Sequence, residues 1–185
     1  HGAVRHVGPA RKTLGVRTIF NLLGPLSNPA GAKRQLLGVF DRKWLVPMAE
    51  ALRDLGAEAA LIVHGSDGLD EITTTGPTFA AELKPDGVIE AYEINPEDAG
   101  LQRAALNDLN GGDPDENAAA VRALLDGEPG PYRDIVVINA AAALKLAGLA
   151  DDLKTGAALT AAAIDDGRAR TALERLAAAS HGDGA

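Results

Sequence analysis

Apolar positions follow two rhythms along this chain, and their order predicts a βαβ unit, then a hairpin, then a run of helices. Residues 35–40 form a short apolar run that reads as a strand. Residues 42–55 carry helical spacing ended by Gly56, and residues 59–63 read as a parallel strand buried on both faces. Residues 78–83 and 88–94 alternate apolar and polar side chains about the turn Lys84-Pro85-Asp86-Gly87, which predicts an antiparallel hairpin. The expected class is α/β, with a mixed and mainly parallel sheet flanked by helices.

Glycine and proline punctuate the remainder. Gly8-Pro9 reads as a helix cap followed by proline at the first helical position, with Gly15 as the stop, so a short helix carries Arg11 and Lys12. A second short helix is expected over residues 18–23. In Gly24-Pro25-Leu26-Ser27-Asn28-Pro29 the two prolines push Gly24 and Asn28 towards extended backbone, which predicts a stiff loop. Asp113-Pro114 opens a helix to about residue 126; Glu116 and Asn117 could serve as ligands, but first-turn stabilisation of that helix is the favoured reading. Residues 135–149 are apolar almost all round and read as a central buried helix, with Asn139 set into the apolar stretch. Two alanine-rich helices, over residues 153–164 and 168–178, complete a single domain at residues 1–179, and residues 180–185 are expected to fray.

Composition narrows the chemistry. Hydrophobic residues make up 46% of the chain but aromatics only 3%, so the core must be built from Ala, Leu, Val and Ile. The absence of cysteine rules out a disulfide framework or a thiolate metal site and fits a reducing compartment. With no signal-peptide pattern and no apolar run long enough to span a bilayer, a soluble cytoplasmic protein with no membrane partner is expected. The net charge of −8 is unevenly placed, +5 over residues 1–58 and −13 over the rest. A basic segment facing an acidic body suits small anionic substrates and disfavours nucleic acid as a partner, because the overall field repels a polyanion. Arg42, Lys43 and Arg53 fit solvated helix faces, whereas Arg11, Lys12 and Arg17 sit among Gly, Pro and apolar residues.

The densest chemistry lies in His64-Gly65-Ser66-Asp67-Gly68-Leu69-Asp70-Glu71, directly after the buried strand. Neighbouring side chains diverge in a helix and oppose one another in a strand, so only an irregular backbone lets Asp70 and Glu71 converge on one ion. Gly65 and Gly68 permit such a backbone. Two hard oxygen donors outside the carboxyl end of a strand suit Mg²⁺ shared with a substrate phosphate; the bland alternative is a solvated acidic turn.

Several stretches occur in one order: His1 to Lys12, Gly15 to Ala30, Gln35-Leu36-Leu37-Gly38-Val39, His64 to Glu71, Gly111 to Ala118 and Asn139 to Leu144. Together they resemble anthranilate phosphoribosyltransferase over nearly the whole chain, and with it the nucleoside phosphorylase/phosphoribosyltransferase fold. The resemblance implies phosphoribosyl transfer from phosphoribosyl diphosphate to anthranilate in tryptophan biosynthesis. It implies Mg²⁺ held by Asp70 and Glu71, the anthranilate carboxylate held by Arg11, His1 lining the aromatic channel and Gly24 beside the ring. A guanidinium fork suits the Arg11 role, because it grips a planar carboxylate bidentately. His64 reads as structural, hydrogen-bonded at the strand end. Gly2 and Val4 depart from the family's usual proline and larger residue, which bears on the channel wall.

The family also carries an upstream helical dimerisation domain and a diphosphate loop, neither recognisable here. The chain is therefore expected to be part of a homodimeric parent and, by itself, to bind the ribose donor poorly. Two alternatives stand beside the transferase: a pyrimidine nucleoside phosphorylase of the same fold, and a non-catalytic fragment or binding relative.

Overall fold

The expected βαβ unit and hairpin join in one four-stranded sheet. The computed structural model describes Gly8, Thr13, Gly15, residues 19–28 and residues 30–182. Its order is α1 (Phe20–Leu26), β1 (Arg34–Gly38), α2 (Leu45–Asp54), β2 (Ala59–Gly65), β3 (Thr78–Leu83), β4 (Ile89–Ile94), α3 (Pro114–Leu125), α4 (Pro131–Leu146), α5 (Leu153–Asp165) and α6 (Arg168–Ser180). Strands lie in the order β1-β2-β3-β4. β1 pairs parallel with β2, aligning Leu36 with Leu61, while β2–β3 and β3–β4 are antiparallel. The sheet is mixed as expected: among the described strands the β1–β2 pairing is parallel, while the β3–β4 hairpin and the docking of β3 on β2 are antiparallel.

Period-two alternation sorts the core into two layers. Ala60 and Ile62 of β2, with Ala81 and Leu83 of β3, face α2 and pack with Leu45, Met48, Ala49 and Leu52. Leu61 and Val63 face the other way, against Val137, Ile138 and Ala141 of α4 and Ala157 and Ile164 of α5. Each fully buried Ile or Leu contributes about 1.5–3 kcal/mol, so aliphatic side chains hold both layers without large aromatics. At Gly156 an added Cβ would meet the Ala141 carbonyl oxygen at 2.8 Å, which is why α5 can lie so close on α4.

Two expectations need correction. Gly24 is not extended, and Pro25 is not in a loop: both lie inside α1. Gly24 has no Cβ to collide with the proline ring, and Leu22, buried, and Leu26, one turn later, pack against the α2 layer and hold the segment helical. The central helix starts four residues earlier than expected, at Pro131 after Gly130, and is only partly enclosed, with Val137, Ile138, Ala141 and Ala142 its buried residues. α4 is pinned by polar contacts too: Lys145 Nζ lies 3.1 Å from Glu82 on β3, and Asn139 bonds Ile72.

Candidate functional site

β1 and β2 end side by side, at Gly38 and Gly65, and the chain then turns back over those ends. The turn is closed by Gly68 N–H to the Gly65 carbonyl at 3.0 Å and Gly65 N–H to the Leu69 carbonyl at 2.8 Å, with Gly68 at φ +93°. Positive φ there explains why glycine occupies position 68. Asp67 braces the loop from within. Its carboxylate accepts from Thr73 Oγ1 at 2.5 Å, Thr75 Oγ1 at 2.7 Å and the Leu69 N–H at 3.1 Å. Burial opposes ionisation of Asp67, yet these donors outweigh it, and its pKa lies below the ordinary aspartate value.

Asp70 and Glu71 follow on this braced segment. The Asp70 carbonyl lies directly over Gly38, where an added Cβ would fall 1.6 Å from its oxygen. On the other side Ile72 is fully buried, and Asn139 grips its backbone: Oδ1 accepts from Ile72 N–H at 3.0 Å and Nδ2 donates to the Ile72 carbonyl at 2.8 Å. The backbone is thus fixed on both sides of the pair while the two side chains are exposed. No described residue donates a hydrogen bond to either carboxylate. The protein around the Glu71 carboxyl group, and then the Asp70 charge, raise the Glu71 pKa.

These properties fit a divalent cation. Two like charges left without donors on a rigid loop repel each other, and a cation between them would reverse that repulsion. Among the described residues no group of three or more His, Asp or Glu could enclose a metal. A site of two carboxylates suits Mg²⁺, which keeps waters and shares its remaining positions with substrate phosphates.

The other expected site residues fall as follows. His1 and Arg11, with Lys12 and Arg17, lie outside the described residues. Gly24 is exposed in α1, and a Cβ there would meet nothing within 4 Å. His64 Nδ1 donates to the Val39 carbonyl at 2.8 Å, tying β2 to the loop after β1 as its structural reading expects. Glu116 accepts from the Asp113 N–H at 3.0 Å and so caps its own helix. Gly38, Asp67 and Asn139 were not among the expected site residues. An asparagine in an apolar helix was the signal in the sequence for one of them, Asn139.

Residues 1–170 match the glycosyl transferase family, a/b domain. The anthranilate phosphoribosyltransferase of Maricaulis maris is 63% identical over 99% of this chain and 54% of its own length, and that of Parvibaculum lavamentivorans is 61% identical over 98% and 53%. The chain spans about half the length of the curated relatives it matches. Among solved structures, anthranilate phosphoribosyltransferase from Thermus thermophilus superposes with a TM-score of 0.86 at 50% identity, over 95% of this chain and 51% of that one. The enzyme from Saccharomyces cerevisiae in complex with PRPP and Mg gives 0.84 at 29% identity, over 94% and 50%. No described helix is long and apolar enough to cross a membrane. Two core layers around a mixed sheet, an acidic loop outside its strand ends and a match over 170 residues lead to one conclusion: the chain belongs to the glycosyl transferase family, as its a/b domain.

Proposed function

We propose that the complete protein is an anthranilate phosphoribosyltransferase of tryptophan biosynthesis, with this chain as most of its catalytic domain. The observation that carries the proposal is the Asp70–Glu71 pair, exposed and without a hydrogen-bond donor among the described residues, on a loop braced from three sides. In this reading the two carboxylates would hold Mg²⁺. The ion, when bound, neutralises charge developing on the departing diphosphate. The chain's own part is placement. Arg11 orients anthranilate through its carboxylate, with His1 and Gly24 beside the ring, so that the amine nitrogen faces C1 of the ribose. The amine bonds to C1 as the C1–oxygen bond to diphosphate breaks and the diphosphate leaves with the bonding pair, and the amine then loses a proton. Positioning and electrostatics carry such a reaction without a covalent nucleophile.

Support comes from the Saccharomyces cerevisiae structures, one in complex with PRPP and Mg and another with 4-fluoroanthranilate, both of the same fold as this chain. The reading includes a cytoplasmic homodimer joined through a helical segment outside this sequence. The test is loss of anthranilate fluorescence by the complete protein with phosphoribosyl diphosphate and Mg²⁺. Turnover requiring all three is expected. Phosphorolysis of a pyrimidine nucleoside in its place would move the protein to the phosphorylase reading.

A further inference from the structure

We infer that Asn139 is a positioning residue for the Asp70–Glu71 loop, setting the direction of the two carboxylates from helix α4 sixty-seven residues away. The inference rests on the reading of that pair as the metal-holding group.

The geometry is specific. The Ile72 N–H belongs to the peptide that carries the Glu71 carbonyl, and the Ile72 C=O belongs to the next peptide. By accepting from the first at 3.0 Å and donating to the second at 2.8 Å, one amide side chain clamps two consecutive peptide planes. That fixes the torsions of Ile72 and the plane of the 71–72 peptide; with the 70–71 peptide held by the Asp70 carbonyl over Gly38, the direction in which Glu71 leaves the chain is set from both sides. The remaining Nδ2 hydrogen goes to the Ile135 carbonyl at 2.9 Å, which locks the amide against its own helix. Both donors are used, and a flipped amide would set NH₂ against the Ile72 N–H, so the orientation of Asn139 is determined by its partners.

Burial alone does not require this arrangement. Ile72 is already fully buried, in the layer that holds Val137, Ile138 and Ala141. Apolar burial fixes depth but not direction, because it is non-directional, whereas hydrogen bonds to two peptides fix direction. With Asp70 O seated over Gly38 on one flank and Ile72 clamped on the other, the pair has little freedom to turn. An aliphatic residue at 139 would pack the helix and leave the Ile72 groups to find other partners by shifting the loop.

The test measures Mn²⁺ bound by the complete protein with phosphoribosyl diphosphate present and anthranilate absent, from the electron paramagnetic resonance signal of free Mn²⁺. It is run where circular dichroism shows each variant folded. Asn139→Ala should weaken Mn²⁺ binding by about 10-fold or more, the scale on which groups orienting a metal ligand act. Val137→Ala, which opens a cavity on the same helix and leaves the Asn139 hydrogen bonds to Ile72 in place, should bind as wild type does. Wild-type affinity in Asn139→Ala, or an equal loss in Val137→Ala, overturns the assignment and leaves Asn139 as packing. If Asn139→Ala does not fold, Asn139→Asp decides, since it keeps an acceptor for the Ile72 N–H and loses both donors; wild-type affinity there overturns the assignment. Asp70→Asn with Glu71→Gln separates the two levels. Wild-type binding in that double variant overturns the metal reading and the positioning role together, whereas loss there with normal binding in Asn139→Ala overturns the positioning role alone.

Discussion

Two acidic turns look alike along the sequence, Asp70–Glu71 after β2 and Asp113 to Glu116 at the start of α3, and the structure treats them in opposite ways. At α3 the acids serve their own helix. Asp113 accepts from the N–H groups of Asp115 and Glu116, both at 2.9 Å, Glu116 returns to the Asp113 N–H, and Asn117 bonds both the N–H and carbonyl of Gly112. Every one of these partners lies within five residues. After β2 the pattern inverts: the bonds that fix the loop run through backbone groups, Asp67 and the distant Asn139, and the carboxylates of Asp70 and Glu71 receive none from the described residues. Capping consumes an acid's acceptor capacity, while a ligand site has to leave it available. Where the hydrogen bonds are spent separates the two turns better than their composition does.

The largest effect should come from neutralising the open pair. Asp70→Asn with Glu71→Gln is expected to lower Mg²⁺-dependent turnover by about 2–4 kcal/mol of transition-state stabilisation, roughly 30- to 1000-fold, with a wild-type melting curve. Unchanged turnover would make this turn the equal of the one at α3. Gly38→Ala attacks the support instead of the ligands. Its Cβ would collide with the Asp70 carbonyl, so melting and turnover should both fall, with a stability loss of about 1–3 kcal/mol by denaturant titration; a silent variant would show that the loop is not seated there.

At the other turn, Asp113→Ala removes the cap of α3 and should cost about 1 kcal/mol of stability while leaving Mn²⁺ affinity untouched. Loss of metal binding in that variant would erase the contrast. The smallest effect concerns pH. A depressed aspartate pKa adds stability that is fully present above the ordinary value of 3.8 and is lost as pH falls through the folded value. Thermal melting of Asp67→Asn should therefore differ most from wild type near neutrality, with the gap closing in acid. A gap constant with pH would mean that the Asp67 charge does not brace the loop.

Much of this was legible beforehand for identifiable reasons. β2 announced itself as an apolar run, the hairpin by its Lys84-Pro85-Asp86-Gly87 turn, and α3 by Asp113-Pro114, all signals written in adjacent residues. Asp70 and Glu71 were legible as a pair for the same reason. What escaped depends on distant partners. The local preference at Pro25 is for a loop, but packing of Leu22 and Leu26 against the α2 layer keeps it helical. Asn139 was visible as a polar intrusion in an apolar helix, yet only the fold shows that Ile72 is its partner. Gly38 closes a strand without comment in sequence and gains its meaning from the carbonyl above it.

The central question is whether a divalent ion sits at the open carboxylate pair. Crystals of the complete protein grown with phosphoribosyl diphosphate and Mn²⁺, measured at the manganese absorption edge, give an anomalous map that answers this directly. The expected result is one peak in coordination contact with Asp70 and Glu71 and with the diphosphate, and none at Asp113 or Glu116. A peak that touches neither Asp70 nor Glu71, or one seated at the start of α3, would contradict the account.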